Sequence, residues 1–209
     1  VLGSIAYGLT TSAPAYAENA LECLAWQDKK AQVALLRLQD TQHLRVNLLL
    51  FSMWLGIEKK SFANHLLVAL EVTECWHQQV VGPLRGIRKA LPLKSPAPTL
   101  KSQVQHSELV AEQVEQSLLF KCALKIPVTI PKTNPHNPPD NTLIILIKNL
   151  LACSSHAQSI EQFGRAENHQ KKKFDTLSPS DLLLLIQACL PIHSASHISA
   201  CIESLTTSQ

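Results

Sequence analysis

Residues 61–91 have the sequence SFANHLLVALEVTECWHQQVVGPLRGIRKAL, and their pattern predicts one long helix. Stripe positions recur at alternating intervals of four and three residues, which is the period of one face of an α-helix. These positions are Phe62, Leu66, Ala69, Thr73, Trp76 and Val80, followed by Leu84, Ile87 and Leu91. Ser61 is the predicted N-cap. Pro83 lacks an amide hydrogen and crowds the preceding turn, so it predicts a kink rather than the end of the helix.

A second stripe of the same period follows a proline-rich turn. Pro92, Pro96 and Pro98 end the first helix. The second stripe comprises Leu100, Val104, Ser107, Ala111, Val114 and Leu118, and its opposite faces are rich in Gln and Glu. Two helices of similar length with a short connection predict an antiparallel pair within a helical bundle.

The preceding segment LQDTQHLRVNLLLFSMWLG (residues 38–56) joins two further predicted helices. Residues 18–40 have helix-forming composition, Asp40 marks the predicted end, and a turn follows. Asn47 lies where the next helix begins. Its side chain is predicted either to cap the first turn or to form a buried hydrogen bond to the preceding helix. Both roles are structural, because no nucleophile or base accompanies Asn47 at a recognisable spacing.

The C-terminal part of the chain is also predicted to be helical. Residues 127–140 contain five prolines and no helical period, which indicates a linker. Residues 143–151 are apolar nearly all round, and the run Ser178-Pro179-Ser180-Asp181 is typical of a helix start. We therefore predict an all-α fold, with a helical bundle over residues 18–126, the linker 127–140, and a helical extension over 141–209 packed on the bundle.

Composition limits the classes of protein that the chain can represent. Hydrophobic residues make up 45% of it, which supports a packed core, and a net charge of +3 is too small by itself to indicate a nucleic-acid binder. No apolar run approaches the roughly 18 to 20 residues that span a bilayer. Ala15-Tyr16-Ala17 has the form of a signal-peptidase site, but no positively charged region precedes it. Six cysteines without a CxxC pair indicate reduced thiols, and so a cytoplasmic location.

Several short motifs occur in a characteristic order. They are Leu38-Gln39-Asp40, Val46-Asn47-Leu48-Leu49-Leu50-Phe51, Trp54, Trp76, Val80-Val81-x-Pro83-Leu84-Arg85, Arg88-Lys89, Glu108-Leu109 and Ala111-Glu112. Together they resemble a family of short uncharacterised proteobacterial proteins, a domain of unknown function, over roughly residues 33–120. That family tends to have glycine and aspartate where this chain has His43 and Arg45; a glycine would end one helix and an aspartate would cap the next. The resemblance implies a helical fold and a bacterial cytoplasmic setting, and no catalytic residue.

Two groups of residues have the side chains of a metal site. Cys189, His193, His197 and Cys201 are zinc-type ligands spaced four residues apart. On one continuous helix, Cys189 and Cys201 would lie about 18 Å apart, so a shared zinc requires a hairpin at Pro191.

Glu74-x-x-His77 matches half of a di-metal bundle motif, and Glu108, Glu112 and Glu115 could add carboxylates, but no second Glu-x-x-His exists. A buried thiol with small residues and a solvated acidic face are the favoured interpretations, and no metal or cofactor is predicted. The chain contains no P-loop, GxGxxG, GxSxG or HExxH motif, so the prediction leans against an enzyme.

The remaining candidate is a basic window. No acidic residue lies between Cys75 and Ser107, and Arg85, Arg88 and Lys89 share one side of the predicted helix after Pro83. Such a surface could bind an acidic protein, nucleic-acid phosphates or anionic lipid. The structural alternatives are a solvated face or an intramolecular match to Glu108, Glu112 and Glu115. Two functional hypotheses follow: a non-enzymatic protein that binds another macromolecule through this surface, or a metal-binding helical enzyme or regulator.

Overall fold

The computed structural model describes residues 28–62, 65–92, 98–129, 141–164 and 177–207. Helices account for most of these residues, and the described chain has no β-strand beyond one isolated bridge between Lys60 and Val128. The predicted all-α class is confirmed. The helices are α1 (Lys29–Gln42), α2 (Val46–Ile57), α3 (Leu66–Trp76), a π-helical turn (His77–Val81), α4 (Gly82–Ala90), α5 (Pro98–Ala123), α6 (Asn141–Gly164), α7 (Pro179–Cys189) and α8 (Ala195–Thr206).

The contacts between residues divide the described chain into two units. Residues in Leu67–Lys125 form a unit containing α3 to α5, which we call the hairpin unit. Residues in Ala20–Leu66 and Ile126–Gln209 form the other, which we call the composite unit because it joins two separate stretches of sequence. The domain boundaries predicted from sequence remain a prediction, because most of the predicted linker lies outside the described residues.

The core of the composite unit is the packing of α2 against α6. Nearly every side chain of α2 is buried, and the apolar stretch that begins α6 is buried on several sides, as its sequence predicts. The two helices approach closely at Gly56, where an added Cβ atom would lie 2.7 Å from Cα of Leu146. Because the neighbouring atom belongs to the backbone, only glycine fits at this crossing.

Asn149 joins three parts of the composite unit through hydrogen bonds. Its Oδ1 accepts the amide hydrogen of Phe62 at 2.7 Å, and its Nδ2 donates to the carbonyl oxygens of Lys60 at 3.0 Å and Ser52 at 3.2 Å. The side chain is completely buried. A polar group in an apolar core costs stability unless it is paired. The three hydrogen bonds satisfy Asn149 and at the same time fix the chain that leaves α2.

The helices α7 and α8 begin at side-chain caps. Ser178 accepts a hydrogen bond from the amide of Asp181, as the sequence predicts, and Ser194 accepts from the amide of His197. The buried carboxylate of Asp181 also pairs with Arg37 of α1. Helix α7 ends at Cys189 and α8 begins at Ala195, so the break predicted as one possibility at Pro191 is present.

Three local predictions are corrected by the structure. Helix α3 begins at Leu66, so Ser61 is not its cap; the amide of Ser61 instead donates to Thr129 Oγ1 at 3.1 Å. Of the two roles predicted for Asn47, the cap is wrong, because Arg45 occupies the cap position and Asn47 is buried inside the first turn of α2; the predicted buried hydrogen bond to the preceding helix stays a prediction. Helix α1 ends at Gln42 rather than at the predicted Asp40, and its C-cap His43 has the left-handed φ of 56° that favours glycine.

Other predictions fall on residues outside the described chain. They concern the start of the helix predicted over 18–40, the signal-peptidase-like motif at 15–17, and the linker from residue 130 onward. No helix in the described part of the chain is both long enough and apolar enough to cross a membrane.

Candidate functional site

A π-helical turn precedes Pro83 in the first helix of the hairpin unit. The amide of Gly82 donates to the carbonyl of His77, five residues back, in place of the four of a regular α-helix. The irregularity predicted at Pro83 therefore takes the form of a π-helical turn directly before it. Such a turn holds one extra residue, so every later side chain is rotated relative to the stripe predicted from sequence.

This rotation changes which residues of α4 face α5. The stripe predicts inward positions at Leu84 and Ile87, but Ile87 is exposed, and the side chains that reach α5 are those of Arg85 and Arg88. The predicted stripe is therefore wrong beyond the π-helical turn. Because the turn inserts one residue, Arg88 rather than Ile87 reaches α5.

The stripe predicted for α5 is also displaced. Of its members, Ala111 is buried, whereas Leu100 and Val114 are exposed. The buried positions are Glu108, Ala111, Glu115, Leu119 and Ala123. Carboxylates therefore occupy the inner face of α5, and the reason lies in the cations that face them.

Arg85 and Arg88 form a cluster with the carboxylates of Glu108 and Glu112. Arg85 donates from Nε to Glu108 Oε1 at 3.0 Å and from Nη2 to Glu112 Oε1 at 2.5 Å. Arg88 donates from Nε to the other oxygen of Glu108 and from Nη2 to Glu108 Oε1 at 3.3 Å. Glu108 thus accepts from both guanidinium groups. Charge-assisted bonds of this kind add attraction and also fix the orientation of the two side chains, because a guanidinium presents its donors in a rigid plane.

A second polar pair lies about two turns nearer the start of the hairpin. His77 Nδ1 donates to Glu115 Oε1 at 2.9 Å, and the Glu115 side chain is only 1% exposed. The indole Nε1 of Trp76 donates to the carbonyl of Ala111 at 2.9 Å. Among the ion pairs, His77 contacts Glu115, whereas the later Arg88 contacts the earlier Glu108. The predicted antiparallel pairing is therefore confirmed.

The electrostatics of the cluster show the cost of burying carboxylates. Burial raises the pKa of the Glu112 carboxyl above its ordinary value, against the lowering effect of the neighbouring Arg85 and the further raising effects of Glu108 and Glu115. A raised pKa means that the charged form of Glu112 is less stable here than in water. The cluster therefore specifies which faces of α4 and α5 pair, but it adds little net stability to the pairing.

The three cations predicted to bind a partner have different surroundings. Arg85 and Arg88 are engaged with Glu108 and Glu112, which is the intramolecular match considered as an alternative from sequence. Lys89, in the last turn of α4, is exposed. Binding of a macromolecule by Arg85, Arg88 and Lys89 remains a prediction.

The predicted metal candidates are placed separately. Glu74 accepts a hydrogen bond from Gln78 Nε2 at 2.6 Å, while His77 turns to Glu115. At the α7–α8 turn the rings of His193 and His197 stack with centroids 5.5 Å apart. Among the described residues, no group of three or more His, Cys, Asp or Glu side chains is arranged to hold a metal ion.

Sequence reasoning missed the pairing of His77 with Glu115. For the pairing of Arg85 and Arg88 with the glutamates, the sequence contains a periodic signal. Glu108, Glu112 and Glu115 are spaced by four and three residues, and Arg85 and Arg88 by three. Each set therefore occupies one helical face, and the two faces have opposite charge. Treating acidic and basic stripes like apolar stripes would have predicted that these faces meet.

The comparisons with known proteins add a family but no activity. The model of a family described as "Protein of unknown function (DUF2390)" matches residues 20–119, which include α1 to α4 and most of α5. The chain is thus similar to a domain of unknown function, as its motifs predict. No curated protein and no solved structure matches the chain.

Proposed function

We propose that this chain, which resembles a domain without an assigned activity, is a non-enzymatic protein that binds an acidic partner protein through the outer side of α4. The observation that carries the proposal is the character of that surface. Its exposed residues are Pro83, Gly86, Ile87, Lys89 and Ala90, which are apolar or cationic, and none is acidic. Such a surface is complementary to a partner segment that combines acidic and apolar side chains.

The engagement of the arginines favours a protein over a nucleic acid as the partner. Binding to a phosphate backbone depends on several cations that each replace a counterion. Arg85 and Arg88 donate to Glu108 and Glu112, and Lys89 is the exposed basic residue of α4. One lysine beside an exposed isoleucine suits a mixed apolar and acidic protein surface better.

Arg88 has a second role in this proposal. Its side chain remains 31% exposed while it donates to Glu108. The bonds to Glu108 hold its guanidinium in one orientation at the rim of the surface. Arg85, which is more deeply buried, acts by positioning α4 against α5.

We also propose a bacterial cytoplasmic setting. The described cysteines Cys75, Cys122, Cys153, Cys189 and Cys201 are all free thiols. Burial raises the pKa of the Cys153 thiol to about 12, so this thiol stays protonated and unreactive in the core. Free thiols are the usual state of cysteine in a reducing compartment.

The test is affinity capture followed by titration of the captured partner. Tagged wild-type protein, Lys89→Glu, Ile87→Glu and the control Lys148→Glu would be compared, since Lys148 is an exposed lysine on α6 in the composite unit. We expect wild type and the control to retain a protein that the two α4 variants lose. With the purified partner, Lys89→Glu should weaken binding at least about tenfold, and added salt should weaken wild-type binding. Equal binding by all four proteins, or recovery of nucleic acid instead, would contradict the proposal.

A further inference from the structure

The outer face of α5 has an unusual composition for a helix surface. Between Ser102 and Phe120, the charged residues of α5 are Glu108, Glu112 and Glu115, and all three have hydrogen bonds to residues of the first helix. The exposed face over these residues therefore has no lysine, arginine, aspartate or glutamate. A solvated helix face normally carries such charges.

The exposed apolar residues of α5 lie on one line. Leu100 is 45% exposed, Val110 44%, Val114 37% and Leu124, directly after the helix, 69%. Spacings of three and four residues connect them through further exposed positions, and the full series is Leu100, Gln103, Ser107, Val110, Val114, Ser117, Lys121 and Leu124. We call this series the α5 seam. It has the 3.5-residue period along which two helices pack in a coiled coil.

Two copies of the α5 seam are complementary to each other when they lie antiparallel. If two copies lie antiparallel about the level of Glu112, Leu100 meets Leu124 of the other copy and Val110 meets Val114. Ser107 then meets Ser117, and Gln103 meets Lys121. Each exposed apolar side chain of α5 has an apolar counterpart, and the contact buries no unpaired carboxylate.

The parallel arrangement is less favourable for two reasons. It would place Lys121 against the Lys121 of the second copy, and like charges at an interface are destabilising. It would also align the two helix dipoles. We infer that the α5 seam binds a second copy of this chain in antiparallel orientation, giving a two-fold symmetric dimer. An interface of this kind uses the same surface patch on both subunits.

This inference is independent of the proposed function. The partner surface proposed above lies on α4, whereas the α5 seam lies on the other helix of the hairpin unit. Dimerisation would bring together two pairs of helices, which is an arrangement common in bundle proteins. Loss of one interaction should therefore leave the other measurable.

The experiment is sedimentation equilibrium of the full chain at micromolar concentrations. We expect wild type to reach twice the 23.0 kDa mass of one chain. Val110→Glu should weaken the dimer at least about tenfold, because a carboxylate would be buried opposite Val114. Val72→Glu, at an exposed valine on α3, is the matched control and should remain dimeric. Far-UV circular dichroism and thermal melts of each variant confirm that the monomer is folded.

A charge exchange tests the orientation. In the double variant Val110→Glu/Val114→Lys, antiparallel packing sets each glutamate opposite a lysine, and the dimer should return. Parallel packing would set glutamate opposite glutamate, and the dimer should stay dissociated. A wild-type protein that is monomeric at every concentration, a dimer unaffected by Val110→Glu, or a double variant that stays monomeric would each overturn the inference.

Discussion

The hairpin unit and the composite unit differ in the side chains that join their helices. In the composite unit, α2 and α6 bury leucine, isoleucine and phenylalanine, and the buried Asn149 is fully hydrogen-bonded. In the hairpin unit, pairs of arginine or histidine with glutamate join the helices beside the buried Leu70, Val81 and Leu119, and eight other large apolar side chains are exposed. Of the large apolar side chains exposed in the described chain, those in the hairpin unit are Leu67, Val68, Val72, Ile87, Leu100, Val110, Val114 and Leu124. The composite unit exposes Val33, Val128 and Ile192.

The difference separates two ways of specifying how helices pair. Apolar packing provides stability in proportion to the area buried, but it tolerates repacking. Buried ion pairs contribute little net stability, because desolvation offsets their attraction, yet removing one partner is costly. The composite unit therefore serves as the stable part of the fold. The hairpin unit pairs its helices with the help of charge and leaves many of its large apolar side chains exposed.

The largest effect is expected from removing the shared carboxylate of the hairpin unit. Glu108→Ala leaves Arg85 and Arg88 without the group that accepts from both, and we expect a loss of about 3–5 kcal/mol in the free energy of unfolding. Urea denaturation measures this change. Glu71→Ala, at an exposed glutamate on α3, is the control and should change stability by less than about 0.5 kcal/mol. Equal stability of the two variants would show that the charges do not hold the hairpin.

The corresponding change in the composite unit is Asn149→Leu. This substitution keeps the approximate size of the side chain but removes three hydrogen bonds and leaves the buried amide of Phe62 without its acceptor. Each unsatisfied buried group costs about 1–3 kcal/mol, so we expect a loss of about 3 kcal/mol. The melt should stay cooperative. A variant as stable as wild type would mean that apolar packing alone fixes the exit from α2.

A gain in stability is expected at the end of α1. His43→Gly relieves a left-handed backbone conformation at an exposed position, and we expect an increase of about 0.5–1 kcal/mol. His43→Ala keeps the strained φ and serves as the control, with no gain. Thermal unfolding of both variants measures the difference. Equal melting temperatures for the glycine and alanine variants would remove backbone strain as the cause.

The smallest effect concerns the pH dependence contributed by Glu112. Because its pKa is raised in the folded state, its contribution to stability is fully present below the ordinary value of 4.5. The contribution is lost as the pH rises through the folded-state pKa. Glu112→Gln resembles the protonated form at every pH, so its stability relative to wild type should be greater at pH 7 than at pH 4. Urea titrations of both proteins at the two pH values check the sign, and the reverse trend would show that attraction to Arg85 outweighs burial.

The helices could be predicted from sequence because their signals are local. Apolar period and prolines marked most elements, and Ser178 with Asp181 began α7 as predicted, although Ser61 did not cap α3. The inner faces of the hairpin could not be predicted in the same way. A π-helical turn shifts the phase of every following residue, and neither Pro83 nor its neighbours encode that shift in a periodic pattern.

The role of Asn149 was hidden for a different reason. It lies in a stretch that is otherwise apolar, and its partners are 87 to 97 residues away in sequence. Long-range hydrogen bonds leave no periodic signal in one chain. The candidate site was predicted in part. The sequence indicated Arg85 and Arg88 as one basic face, and their pairing with the glutamates of α5 was one of the structural alternatives. Which cations face inward depended on the phase of the helix.

The most direct test of the account separates the three cations of α4. The double variant Arg85→Gln/Arg88→Gln and the single variant Lys89→Gln would be compared with wild type by thermal unfolding followed by circular dichroism. If the arginines hold the hairpin together and Lys89 contacts a partner, the double variant should melt well below wild type. Lys89→Gln should melt at the wild-type temperature. A double variant that unfolds at the wild-type temperature would contradict the account, because the buried charges would then contribute nothing to the fold.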